Sequence, residues 1–150
     1  MKKLMIVALT LVFALCVTGN ALAGEKEDCI KLCKDAAKMI KDKGLDAAKA
    51  EVNKKDGKFV KGSVYVFMTD MTATMIAHPL RPDLIGKNLK DLKDSDGTPF
   101  FQNFVNVAKG KDGKGWVGYK WPKKKGEDPS QKESYILKAG DAIVGAGYYK

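Results

Sequence analysis

The chain has 150 residues, with 27 lysines and arginines against 18 acids, a formal charge of +9, one histidine and three cysteines. Its basic excess is almost wholly lysine, with Arg81 the single arginine. Base and phosphate readout lean on arginine's bidentate fork, so nucleic-acid binding is set aside, and so few Cys and His ligands leave no framework for zinc.

Met1-Lys2-Lys3 is a positive start, Leu4 to Val17 an almost unbroken apolar run, and Ala21-Leu22-Ala23 supplies the small residues a signal peptidase reads. The run is about 14 residues where roughly 20 are needed to cross a bilayer comfortably, so residues 1–23 are expected to be a signal peptide. An uncleaved anchor is the alternative. Cys16 does not make a lipoprotein, because Leu15 stands where a small residue is required. The expected mature chain starts at Gly24, has no stable membrane span and is periplasmic or secreted. Residues 24–150 then form one domain with one core.

Along that domain, apolar residues at three- and four-residue steps predict an amphipathic helix from Glu25 to about Lys43, stopped by Gly44. Cys29 and Cys33 fall on it at i and i+4, as a strained short-range disulfide or two inert thiols. Leu45 to Asn53 continues as a shorter helix. Val64 to Met68 alternates as a strand, with Tyr65 and Phe67 on one face, and after a turn near Asp70 to Thr72, Thr74 to His78 reads as its partner. Arg81 to Asp96 is a polar connection. Pro99 to Ala108 has helical spacing. Trp116 to Trp121 is a strand, Pro122 to Gln131 a lysine-rich loop, and Lys132 to Lys138 and Ala142 to Tyr149 are the last two strands. The order predicts an α+β domain, an antiparallel sheet with helices packed to one side.

Tyr65-Val66-Phe67-Met68-Thr69-Asp70, Ala77-His78-Pro79, Leu84-Ile85-Gly86-Lys87-Asn88-Leu89, Asp94-Ser95-Asp96-Gly97, Gly115-Trp116-Val117-Gly118-Tyr119-Lys120-Trp121-Pro122, Lys132-Glu133-Ser134-Tyr135 and Gly145-Ala146-Gly147-Tyr148-Tyr149 follow one another in order and spacing that resemble single Cache domains of the second type. The resemblance implies a long N-terminal helix and a five-stranded antiparallel PAS-like sheet whose concave face holds a small ligand. It also implies a sensor role, short carboxylates such as acetate, propionate, lactate or pyruvate as ligands, and a membrane receptor or histidine kinase as partner. Three departures stand out: Ala73 where a glycine is expected, no tryptophan near Asp141 and Ala142, and no second membrane helix or output domain.

Independently of the resemblance, a pocket for a small anion needs an apolar wall, aligned donors and one cation not already neutralised. Tyr65, Tyr119, Trp121 and Tyr135 can give wall and donors, with Phe67 beside Tyr65. His78 is a further donor and Lys132 the cation, with Arg81 next in line. Each has a plainer reading: aromatics as core, His78 as a strand-end residue satisfied by backbone, Lys132 as a solvated strand start. Because Lys132 and Tyr135 are three residues apart, a regular strand sends them to opposite faces, and both reach one pocket only if Lys132 lies at the loop margin. Neither a carboxylate pair nor a nucleophile elbow is present, so no catalytic residue, metal or cofactor is expected. The two functional readings are a carboxylate sensor and an interaction domain without a small ligand.

Overall fold

The computed structural model describes residues 17–150, with side chains from residue 21 onward, so the first part of the expected signal segment lies outside the described residues. Helix α1 (Val17–Lys43) and helix α2 (Leu45–Val52) are separated by Gly44, whose φ of 88° lies in the left-handed region that a glycine enters without strain. Among the described residues no helix is long and apolar enough to cross a membrane.

Strands β1 (Val60–Lys61), β2 (Val64–Asp70), β3 (Met75–Ala77), β4 (Lys114–Pro122), β5 (Pro129–Ala139) and β6 (Ala142–Tyr149) form one antiparallel sheet in the order β1-β2-β6-β5-β4, with β3 also on β2. The sheet has six strands rather than the expected five because two residues before Gly62 turn back onto β2. Helix α3 (Phe100–Lys109) follows Pro99.

The helices do not share one side of the sheet, which corrects the expectation. Cys29, Cys33 and Ala36 of α1 and Ala48 and Val52 of α2 pack on Val64, Val66, Met68, Val144, Ala146 and Tyr148. On the opposite face Phe100, Phe101, Phe104 and Val105 of α3 pack on Tyr65, Phe67, Val117, Tyr119, Ile136 and Ile143. Both faces are apolar at alternate positions, so each needs its own cover.

Two acids fix the connections. Asp70 Oδ1 accepts from the backbone of Thr72 and Thr74, each at 2.8 Å, and closes the β2–β3 turn. Asp94 Oδ1 accepts from the backbone of Asp96 and Thr98, while its Oδ2 accepts from the Lys120 backbone on edge strand β4 at 2.8 Å, bringing Pro99 and α3 over the sheet.

Inside the Asp70 turn, Ala73 has a φ of 68°, the one described non-glycine residue at positive φ, and is fully buried. A left-handed alanine costs about 1–2 kcal/mol, whereas its buried methyl contributes about 0.8 kcal/mol. Ala73→Gly is therefore expected to raise stability by up to about 1 kcal/mol in chemical denaturation. A drop would mean that the methyl's packing outweighs the backbone strain.

Candidate functional site

Antiparallel register puts directly paired residues on one face of the sheet. Tyr119 pairs with Lys132 and Lys132 with Tyr149; Val117 pairs with Ser134, Ser134 with Gly147 and Gly147 with Tyr65; Ile136 pairs with Gly145 and Gly145 with Phe67. These rows form the floor beneath α3. A cavity there is lined by Tyr65, Phe67, Met75, His78, Phe100, Phe101, Phe104, Tyr119, Trp121 and Lys132. The space open to the centre of a water molecule is about 10 Å³, room for about one water.

Gly147 makes room for the polar part of this floor. A Cβ there would overlap Ser134 Oγ and stand 2.7 Å from Lys132 Cε and 2.9 Å from the Glu133 carbonyl oxygen, and one at Gly145 would overlap the Phe67 ring. Neither glycine is at positive φ, so close approach explains them rather than backbone freedom.

Lys132 is 1% exposed. Its Nζ donates to Tyr65 Oη at 2.8 Å and lies 5.0 Å from the centre of the Tyr149 ring. Among the described residues no carboxylate pairs with it, and burial pulls its pKa down from 10.5 to about 8. It is still cationic at neutral pH. His78 Nδ1 accepts from the backbone of Leu80 at 3.2 Å and of Arg81 at 2.9 Å. Burial, with the Lys132 and Arg81 charges beside it, pushes the imidazole's pKa down to about 3. The ring is therefore neutral, and with Nδ1 accepting, its proton sits on Nε2 as a free donor. Its backbone is anchored in turn by Asn53, at the end of α2, whose Oδ1 accepts from His78 N at 2.9 Å. Tyr119 and Ser134 share a buried hydroxyl–hydroxyl bond of 2.9 Å.

Six of the seven expected ligand-site residues (Tyr65, Phe67, His78, Tyr119, Trp121 and Lys132) thus line one cavity. Tyr135 does not. The β4–β5 ladder runs on to the pair Pro122 and Pro129, so Lys132 lies inside regular strand rather than at a loop margin, and Tyr135 leaves the other face. There it packs on Trp116 and on the α1 cluster. Glu133 faces that side too: Tyr148 Oη donates to it at 2.6 Å, and Lys150 and Lys26 of α1 lie 3.3 and 3.7 Å away. Arg81, the second candidate cation, does not line this cavity and pairs with Asp83 through two contacts of 2.9 Å. Sequence reasoning missed Met75, the three α3 phenylalanines, Ser134 and Tyr149; the last two are visible only once the strand register is known.

A wider groove of about 580 Å³ runs between α1 and β1. Lys31 pairs with Asp35, Lys38 with Asp42 and Lys61 with Asp28, and the groove's remaining lysines, Lys43 and Lys58, are exposed, so it offers no buried cation comparable to Lys132.

Cys29 and Cys33 are free thiols, both buried, which corrects the disulfide alternative. Side chains at i and i+4 of a helix start about 5–6 Å apart at Cβ, and a disulfide needs about 3.5–4.5 Å. Burial pushes the Cys29 pKa up to about 12 and raises that of Cys33 as well. The native protein is expected to resist a thiol reagent, and both residues to react after unfolding without reductant. Intact mass decides: no adduct on unfolding would mean a bridge.

The chain belongs to the single Cache domain 2 family, whose profile matches residues 31–150. It is 37% identical over 87 residues to the methyl-accepting chemotaxis protein McpP of Pseudomonas putida, covering 57% of this chain and 16% of that protein. The chain thus corresponds to a small part of that relative's length. Its fold is similar to the periplasmic sensor domain of a chemotaxis protein, with a TM-score of 0.68 and 24% identity over 89% of this chain and 97% of the other. It is similar also to a Cache chemosensory domain described for its carboxylic acid recognition, with a TM-score of 0.71 and 24% identity over 89% and 99% of the two chains. A methyl-accepting chemotaxis protein from Vibrio parahaemolyticus gives 0.71 and 24% over 87% and 92%.

Among the described residues no three or more His, Cys, Asp or Glu side chains come together as a metal site would require.

Proposed function

We propose that this domain is an extracytoplasmic sensor for a short monocarboxylate of about two to four carbons, of the acetate, propionate, lactate or pyruvate type. The observation that carries the proposal is Lys132, a cation buried among aromatics with no carboxylate among the described residues to neutralise it. Keeping such a charge costs stability, and an anionic ligand removes that cost. The carboxylate meets Lys132 Nζ and Tyr65 Oη, neutral His78 donates from Nε2, and Phe67, Phe100, Phe104 and Trp121 enclose the alkyl end. Carboxylic acid recognition in a domain of the same fold supports the assignment.

The pocket binds and does not convert, because it contains donors and a cation but no acid–base pair around a reacting atom. Occupancy is reported to a membrane receptor or histidine kinase. Residues 1–23 are removed on export, leaving Gly24 as the first residue, which intact mass of the exported protein tests.

The cavity is nearly closed, so its aromatic wall must part to admit a carboxylate. Melting-temperature measurements against a library of small carboxylates test the function, since a ligand that prefers the native state raises the midpoint. A ligand of this size is bound no tighter than about micromolar. A rise with acetate, propionate, lactate or pyruvate is the expected result. A library without effect would leave an interaction domain whose cavity has closed.

A further inference from the structure

The inner cavity shares two walls, Tyr65 and Trp121, with an outer cavity of about 210 Å³ that is lined also by Lys55, Arg81, Lys123, Lys124 and Lys125. Asp83 is the acid that pairs into this cluster, held by Arg81 at 2.9 Å and Lys125 at 3.4 Å. Those cations hold its carboxyl well below the usual range, so it stays ionised, yet it offsets only one of five positive charges. Trp121 stands between the two spaces, with the Arg81 guanidinium 5.7 Å from its ring on one side and the Phe100 ring edge-on at 5.7 Å on the other.

We propose that Trp121 sets ligand length: it is the partition between the inner cavity and an anion subsite in the outer one, and it excludes acids that carry a second carboxylate. The proposal rests on the carboxylate reading of the inner cavity. With its first carboxylate on Lys132, a dicarboxylate in the wild-type protein would drive the second against the indole and Phe100, where nothing pairs with it and desolvation is unfavourable. Without the indole the same group reaches the outer cavity, where Lys55 and Arg81 attract it and water remains. Discrimination therefore comes from a wall that blocks a favourable site, a repulsive device rather than a better fit.

Calorimetry with propionate and glutarate tests this on the wild type, Trp121→Ala, Trp121→Phe and the double variant Trp121→Ala/Arg81→Gln. The wild type and Trp121→Phe are expected to prefer propionate, and Trp121→Ala to gain about tenfold or more for glutarate. Arg81→Gln in that background is expected to lose most of the gain. Should Trp121→Ala fail to fold by circular dichroism, Trp121→Leu is held to the same criterion. Propionate binding by the wild type, with glutarate affinity of the folded variant within about threefold of wild type, overturns the partition alone. A glutarate gain in the variant without propionate binding by the wild type keeps the partition and overturns the monocarboxylate reading. Absence of binding in every protein overturns both.

Discussion

Lys132→Met is expected to melt higher than the wild type at pH 7 and to bind short carboxylates about ten- to hundredfold more weakly, the equivalent of a charge-assisted contact of about 1.5–3 kcal/mol. The gain in stability follows from the lysine's pKa, 10.5 in the unfolded chain and about 8 when buried. Between those values the unfolded chain holds the extra proton, so the unliganded wild type becomes more stable as pH rises through that window and carries the full penalty below it. That penalty is about 3 kcal/mol, reduced to about 2 kcal/mol in the variant because Tyr65 Oη loses its partner. Binding has the opposite dependence. Carboxylate affinity should be flat below pH 8 for as long as the ligand stays ionised, and fall about tenfold per unit above it, until the lysine of the complex itself titrates. A variant that binds as tightly as wild type, or an affinity indifferent to pH between 8 and 10, would remove Lys132 from the site.

Gly147→Ala is expected to destabilise the domain by about 3 kcal/mol or more, and to abolish carboxylate binding in whatever fraction folds. The added methyl meets Ser134 Oγ and Lys132 Cε, which could turn aside, but also the Glu133 carbonyl oxygen at 2.9 Å, which is fixed in the β5–β6 ladder. Gly118→Ala is the matched control on the other face. Its Cβ would meet only Gln131 Nε2 at 3.7 Å, so its midpoint in denaturant should move by less than about 0.5 kcal/mol. Equal midpoints for the two variants would show that the floor yields.

Most of the fold was legible because its signals are apolar. Alternation over Val64 to Met68, the spacing of Phe100, Phe101, Phe104 and Val105, and Gly44 between two helical patterns each correspond to an observed element. Which face each helix covers was not legible, since a strand apolar on both faces carries no sign of what lies above and below it. Within the site, the aromatics of β2 and β4 were readable from alternation. The place of Lys132 was not, because Pro129, Ser130 and Gln131 look like loop and make Lys132 the first residue of its strand, and nothing in composition announces a ladder that continues through polar residues to Pro129. That single boundary also decided Tyr135. Ser134 and Tyr149 needed cross-strand register, and Gly145 and Gly147 read as strand weakeners until the atoms lying over them were seen.

The alternation that separates Lys132 from Glu133 has a mechanical consequence. β5 is locked by continuous pairing to β4 on one side and β6 on the other, so sliding it by one residue would turn Glu133 into the aromatic cavity and Lys132 out among the helix contacts. The ladder therefore holds β5 in register, and the neighbouring residues Lys132 and Glu133 tie the two faces of the sheet together, the first to the Tyr65 hydroxyl in the cavity and the second to Lys26 of α1.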